Sequence, residues 1–173
     1  MRRAGGKNHP AGEPADHALG RSRGGFSTKL HLATDGHGIP LGVVLTAGEK
    51  SECRTCPEVL EAVRLPRARG GRTRRRPSVL VGDKGYNAAW LREYLKERRI
   101  RAVIPRFSNQ SIDPNFDRET YRRRNVIERC VGWLKNFRRL ATRFEKLAVT
   151  FLGIVKFAVI RRLLRLLDSS NRT

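Results

Sequence analysis

The stretch from Tyr121 to Lys135 reads YRRRNVIERCVGWLK and places one carboxylate among several cations. At 3.6 residues per turn, Tyr121, Arg124, Glu128 and Lys135 fall on one side of a helix. The neighbouring cations would keep Glu128 ionised, as a metal ligand must be, and could hold nucleic-acid phosphates beside it. The alternative is a solvated helix in which Arg124 and Glu128 form an ion pair worth only about 0.2–0.5 kcal/mol.

Asp83 is the second candidate carboxylate. The segment SVLVGDKGYN predicts a short buried strand that ends at Asp83, followed by a turn and a helix over about residues 88–99. Catalytic groups gather at the carboxyl edge of open α/β sheets, although an Asp at this position is also common as a turn or helix cap. Together, Asp83 and Glu128 fit phosphodiester chemistry with Mg²⁺ or Mn²⁺, in which two cations about 3.5–4 Å apart act on the attacking and leaving oxygens.

The elements that must position these residues follow from the apolar pattern. Residues 26–47 alternate apolar and polar side chains around DGHG, which predicts a β-hairpin. Residues 55–65 predict a short helix with Thr55 as its N-cap and Pro57 in its first turn. RAVIP predicts an edge strand, and we expect Trp90 to lie in the core. In the helix that carries Glu128, the apolar residues that face the core are Val126, Cys130, Trp133, Phe137 and Leu140.

Charge dominates the composition. The 173 residues contain 37 Lys plus Arg against 16 Asp plus Glu, a formal charge of +21, and the excess runs along the whole chain. Such a chain repels itself unless a polyanion is its partner, which indicates DNA or RNA. Within a loop, Arg72, Arg74, Arg75 and Arg76 form either a phosphate-binding patch or a solvated run, and the overall charge favours the patch.

The length and apolar content fit one domain with a sizeable core. We expect a flexible basic arm over residues 1–22, a folded domain over 23–168 and a tail over 169–173. Three cysteines without a secretory signal fit a reducing cytoplasm rather than a disulfide framework. The apolar segment from Leu147 to Leu167 is interrupted by four cations, which indicates a buried or partner-facing helix and no membrane span.

With these residues in view, the sequence resembles bacterial insertion-sequence transposases of the DDE class, in insertion-sequence families 4 and 5. The pattern YxxRxxxExxxxxxK, matched by Tyr121, Arg124, Glu128 and Lys135, is similar to their YREK signature. VGDKGYN around Asp83 is similar to the motif of their second Asp. GRSRGGFSTKLHLATDGHGIPL is similar to the hairpin segment that comes before it.

The resemblance implies an α/β fold of the RNase H-like type, a mixed sheet flanked by helices, with a three-carboxylate metal site for cut-and-paste DNA transfer. Asp83 would be the second catalytic carboxylate and metal ligand and Glu128 the third, with Mg²⁺ or Mn²⁺ as cofactor. Tyr121, Arg124 and Lys135 would position double-stranded DNA at the ends of the element.

The sequence departs from the family at the first Asp, which lies upstream of the GRSRGG-like segment on the first central strand. Glu13 and Asp16 precede that segment here, but the neighbouring prolines and glycines argue against a buried strand. We therefore expect a C-terminal transposase portion that lacks this strand, either the second frame of a two-frame gene or a decayed copy. Its expected partners are the upstream-frame portion or a second copy of itself.

Two other functions fit parts of the pattern. A non-catalytic DNA-binding remnant or inhibitor of an intact transposase would explain the charge and the lack of a first Asp. A ribosome-associated basic protein would explain the charge but not the arrangement of Asp83, Glu128 and the YREK residues.

Overall fold

The computed structural model describes residues 17–22, 25–65, 71, 73 and 76–170. The chain forms five strands and six α-helices in these parts. In chain order, they are β1 (Gly20–Ser22), β2 (Gly25–Thr34), β3 (Pro40–Ala47), α1 (Glu52–Ala62), β4 (Val79–Val81), α2 (Ala89–Glu97), β5 (Arg101–Val103), α3 (Arg118–Arg122), α4 (Asn125–Lys135), α5 (Arg138–Ala141) and α6 (Ala148–Ser170). A 3₁₀ turn at Lys84–Tyr86 lies between β4 and α2. The mixed α/β arrangement with helices around small sheets confirms the expected fold class.

The predicted hairpin is present. β2 and β3 pair antiparallel from Thr28 opposite Ala47 to Thr34 opposite Pro40. The Asp35 carboxylate fixes the turn between them, because its Oδ1 accepts hydrogen bonds from the backbone N–H groups of His37 and Ile39 at 2.9 Å. Gly20–Ser22, inside the predicted arm, form β1 and pair with the start of β2.

The other two strands form a separate parallel pair. β4 pairs with β5 from Val79 opposite Arg101 to Val81 opposite Val103. Among the described residues, β4 has no strand on its other edge, and β2 pairs only with β3 from Thr28 onward. Each sheet therefore has an edge whose backbone groups find no strand partner in this part of the chain.

Two apolar clusters hold these sheets against the helices. The first joins α1, α2 and the segment around β5, with Leu91 and Leu95 fully buried. The second joins α4 and α6 through Cys130, Leu134 and Ala158, and Leu30 and Leu32 of β2 pack against it. On the same strand, His31 is buried and its Nε2 lies 2.8 Å from Thr46 Oγ1. Apolar and polar side chains of β2 therefore point alternately to its two faces, as the sequence predicts.

Two expectations about this region are wrong. The first helix begins at Glu52 rather than Thr55, and Ser51 occupies the N-cap position, because Cys53, Cys56 and Leu60 must share one face to reach the core. Thr55 lies inside the helix, where its hydroxyl donates to the Ser51 carbonyl at 3.0 Å. Trp90 is 46% exposed, since its neighbour Leu91 takes the buried side of α2.

The last helix, α6, has one buried and one exposed apolar side. Phe151, Val155 and Ala158 are buried, whereas Phe157 and Leu164 are largely exposed. Among the described residues, none of the helices is both long and apolar enough to cross a membrane.

Candidate active site

Asp83 lies just beyond the carboxyl end of β4, as the sequence predicts. One residue beyond β4, the Gly82 N–H donates to the Val103 carbonyl at 3.2 Å, and Asp83 follows in an extended conformation. Its Oδ1 accepts a hydrogen bond from the Gly85 N–H at 2.8 Å and so caps the 3₁₀ turn. Oδ2 accepts no hydrogen bond from any residue that the structure describes. Asp83 therefore caps the turn with one carboxylate oxygen, and the other accepts no hydrogen bond within the described residues.

Tyr86 is a neighbour of Asp83 that the sequence interpretation missed. Its ring packs on Gly82, where an added Cβ would come within 3.2 Å of it. Burial raises the pKa of the Tyr86 hydroxyl, and the negative charges of Glu52 and Asp83 raise the pKa further. Both carboxylates therefore lie within electrostatic reach of one buried hydroxyl. The sequence signal for this contact is the short spacing between Asp83 and Tyr86 in DKGY.

Glu52 is the first residue of α1 and is held by a cation from the hairpin. Its Oε1 lies 3.6 Å from Nζ of Lys29, which also donates to the Lys50 carbonyl at 2.9 Å. An acidic residue in the first turn of a helix also complements the helix dipole. The ion pair with Lys29 and the helix dipole thus explain the presence of Glu52 without a catalytic role. Like Asp83, Glu52 also acts electrostatically on Tyr86.

The YREK residues do not share one continuous α-helix, so that expectation is wrong. Tyr121 is in α3, Arg124 is at the junction, and Glu128 and Lys135 are in α4. At the junction, the N–H groups of residues 123, 124, 126 and 127 donate to carbonyls three residues earlier, at 2.9–3.2 Å. Such bonds tighten the chain to a 3₁₀ turn. The three consecutive arginines before α4 offer no apolar side chain that would anchor a regular helix to the core.

Glu128 is paired as well as exposed. Its Oε1 lies 2.6 Å from Nη2 of Arg124, and its side chain is 59% exposed. Burial alone would lower the pKa of Arg124, but the hydrogen bond and the charge of Glu128 outweigh it and raise this pKa. Lys135 is the last residue of α4 and is exposed. The ring of Tyr121 packs on Phe116 at a centroid distance of 5.3 Å.

The opposite side of α4 packs as the apolar pattern predicts except at Val126, which is half-buried and outside the cluster. Cys130 is buried, and Trp133, Phe137 and Leu140 pack around its cluster, although the last two lie beyond the end of the helix. This packing fixes which side of α4 faces outward. Glu128 and Lys135, which are both exposed, thereby lie on the outer side of α4, and Arg124 is half-buried at the N-cap position.

The donor set for a divalent cation is incomplete in the described part of the chain. There, no three His, Cys, Asp or Glu side chains converge as metal ligands would. Asp83 retains Oδ2, and Glu128 retains Oε2 while Oε1 faces Arg124. These residues fit Mg²⁺ or Mn²⁺ chemically, as hard oxygen donors, but they do not form the site by themselves.

The predicted arginine patch falls mostly outside the described residues, which exclude Arg72, Arg74 and Arg75. Arg76 is described and exposed, and it precedes β4, at the end of the strand opposite Asp83. The three cysteines are free and buried, and burial raises the pKa of the Cys56 thiol to about 12. Packing explains these thiols.

Comparison with known proteins identifies relatives. The sequence pattern of the family described as "Transposase DDE domain" matches residues 4–161. A putative transposase for insertion sequence element IS402 from Burkholderia cepacia is 32% identical over 121 residues, which is 70% of this chain and 55% of that protein. A putative transposase for IS6501 from Brucella ovis is 29% identical over 134 residues, 77% of this chain and 95% of that protein.

A third relative, the transposase for IS1106 from Neisseria meningitidis serogroup B, is 26% identical over 148 residues, 83% of this chain and 47% of that protein. The chain thus spans about half the length of the Burkholderia and Neisseria relatives and nearly all of the Brucella relative. No solved structure matches this chain significantly.

Proposed function

This chain belongs to the transposase DDE domain family, and on that premise we propose that it cleaves and joins phosphodiester bonds at the ends of an insertion sequence. Asp83 and Glu128 are the proposed catalytic carboxylates, and Mg²⁺ or Mn²⁺ is the proposed cofactor. The metal, when bound, would polarise a phosphodiester and activate the attacking oxygen. Double-stranded DNA is the proposed substrate, which accords with the formal charge of +21. The cytoplasm is the proposed compartment, because three free thiols suit a reducing environment.

The position of Asp83 is the observation that carries this proposal. Its carboxylate leaves the carboxyl end of a parallel strand, where one oxygen is fixed by Gly85 and the other finds no hydrogen bond within the described residues. Fixing one oxygen orients the other without occupying it, as a preorganised ligand requires. Arg124 would likewise hold Oε1 of Glu128 and so orient its Oε2.

We propose that the remaining carboxylate comes from a strand outside the described residues. β4 offers an edge with no strand partner there, and so does β2 from Thr28 onward. Helix α1 contacts β2, β3 and the turn that follows β4. Leu80 of β4 and Ala102 of β5 pack against the apolar cluster to which α1 contributes, so both sheets pack near one helix. A strand added on the β4 edge and parallel to it would bring its carboxyl end beside Asp83. An upstream transposase portion or a second copy of this chain are the proposed sources.

The other YREK residues have proposed roles in holding DNA. Lys135 is exposed at the end of α4, whereas Tyr121 and Arg124 are half-buried near its start. A Lys ammonium acts on a phosphate as a point charge, so Lys135→Ala should weaken end binding rather than abolish the chemistry.

The test is an excision assay with the chain fused to an upstream segment that carries an Asp-bearing strand. Glu128→Gln should reduce excision to background in that fusion. Glu119→Gln is the matched control, because Glu119 is an exposed carboxylate that pairs with Arg123 at 2.9 Å, also at i, i+4. Excision that survives Glu128→Gln as well as it survives Glu119→Gln would exclude Glu128 as a catalytic residue.

A second function, DNA binding without cleavage, is favoured for the chain alone. The observation behind it is that, among the described residues, no three metal ligands converge. The purified chain should therefore bind transposon-end DNA without nicking it in Mg²⁺. Robust Mg²⁺-dependent nicking by residues 1–173, lost in Asp83→Asn, would exclude this function.

A further inference from the structure

A cavity of about 380 Å³ opens at the end of β4 and β5 opposite Asp83. Arg76 and Pro77 of its wall precede β4, and Ile100 precedes β5. Because the two strands run parallel, these residues mark the amino edge of the sheet. Asp83 lies at the carboxyl edge, beyond a three-residue strand that spans about 10 Å. The cavity is therefore separate from the candidate active site.

Cations dominate the polar part of this cavity. Arg64 comes from the end of α1, Arg98 from the end of α2 and Arg76 from the segment before β4, while Glu61 is the one carboxylate among the described lining residues. Tyr94 supplies an aromatic wall. A guanidinium binds phosphate with two parallel N–H donors, so three of them around one space suit a phosphate group.

Two of the guanidinium groups are held in place. Nη1 of Arg64 donates to the Val63 carbonyl at 2.9 Å and also to the Glu61 carbonyl, at the end of α1. The guanidinium carbon of Arg98 lies 3.7 Å from the centre of the Tyr94 ring, a cation–π contact. A fixed arginine loses less side-chain entropy when an anion binds than a mobile one does.

We propose that Arg64, Arg76 and Arg98 bind a backbone phosphate of DNA, as a second DNA contact on the sheet edge away from Asp83. The proposal rests on DNA as the partner of this chain. DNA is favoured over a free nucleotide because Arg72, Arg74 and Arg75 precede Arg76 in the sequence. A long polyanion suits a chain with a formal charge of +21 better than a single small anion does.

The experiment measures binding of the full chain to a labelled duplex by fluorescence anisotropy between about 50 and about 200 mM salt. In the double variant Arg64→Gln/Arg98→Gln, the log–log slope of affinity against salt should become shallower by about 0.9 for each phosphate that the variant no longer neutralises. The control double variant is Arg54→Gln/Arg118→Gln. It removes the same charge from exposed positions outside the cavity and should change the slope less.

A charge-preserving variant separates a shaped site from charge alone. Arg64→Lys/Arg98→Lys keeps both charges but removes the paired donors and the stack on Tyr94, so the affinity should fall several-fold while the slope stays close to that of the wild type. If both cavity variants match the control in slope and affinity, the cavity does not bind DNA and the proposal is overturned.

Two further outcomes identify which proposal has failed. If the wild-type chain does not bind duplex DNA at all, then DNA is not its partner and both this inference and the proposed function are overturned. A second titration uses the mononucleotide dAMP as the probe. Binding of dAMP that depends on Arg64 and Arg98, with an unchanged DNA salt slope, would assign the cavity to free nucleotides and overturn its assignment to DNA.

Discussion

Two substitutions can separate the capping role of the Asp83 carboxylate from its proposed role in metal binding. Asp83→Ala removes the acceptor of the 2.8 Å hydrogen bond from the Gly85 N–H, whereas Asp83→Asn keeps an oxygen at the same position. One such hydrogen bond contributes about 1 kcal/mol, which corresponds to about 2–4 °C in Tm for a domain of this size. Only the Asn variant should therefore be as stable as the wild type, within about 0.5 kcal/mol.

Metal binding should respond differently from stability. A neutral amide is a poorer ligand for Mg²⁺ than a carboxylate, so Asp83→Asn and Asp83→Ala should both reduce excision to background in the fusion. Urea unfolding followed by circular dichroism measures the stability of each variant, and a plasmid excision assay measures its activity. The stable, inactive Asn variant is the diagnostic result.

The control for Asp83→Asn has the same local geometry. Asp113 Oδ1 accepts a hydrogen bond from the Asn115 N–H at 3.0 Å, also two residues on, but Asp113 lies outside the predicted site. Asp113→Asn should leave excision unchanged. If Asp83→Asn excises as well as Asp113→Asn does, Asp83 is only a cap. If Asp83→Asn is as unstable as Asp83→Ala, the Asn side chain does not keep the hydrogen bond from the Gly85 N–H.

Two further predictions concern the scaffold. Burial, and then the charge of Lys29, lowers the pKa of His31 from 6.5, so the unfolded chain takes up the proton first as the pH falls. The free energy of unfolding should therefore fall more between about pH 7.5 and about pH 5.5 in the wild type than in His31→Gln, and equal losses in urea titrations would contradict this. Leu91 is 0% exposed and Leu167 is 60% exposed. Leu91→Ala should accordingly cost about 2–5 kcal/mol and Leu167→Ala below about 1 kcal/mol by urea unfolding, and comparable costs would refute the assigned core.

Local signals predicted the hairpin and the position of the strand before Asp83 correctly, although that strand is half-buried rather than buried. In the hairpin, alternation and turn chemistry agree, because the carboxylate of Asp35 bonds the turn backbone two and four residues later. Around Asp83, a run of apolar residues ends at a glycine and a turn. These features depend on neighbours within a few residues, which a sequence displays directly.

Features that depend on distant partners were not predictable in the same way. The sequence predicts a start of α1 that is three residues too late, because Thr55 is a good N-cap residue in isolation. Packing of Cys53 on the first core cluster requires the helix to begin earlier. Trp90 is apolar at a helical spacing, but α2 turns Leu91 inward instead. The cavity has walls from two helix ends and two strand starts, and no periodicity in one segment could indicate it.

The ion pair of Glu128 and the cap of Asp83 do not compete with their proposed roles in metal binding. An exposed i, i+4 pair contributes about 0.3–0.5 kcal/mol, so Arg124 cannot hold Glu128 against a divalent cation. Each carboxylate engages one oxygen with its neighbour and leaves the second unengaged by the described residues. Residues that hydrogen-bond to a metal-ligating carboxylate typically engage one of its oxygens and leave the other for the metal. In the proposed site, a further carboxylate on the added strand would complete the set of metal ligands, which makes that strand the decisive element of the proposal.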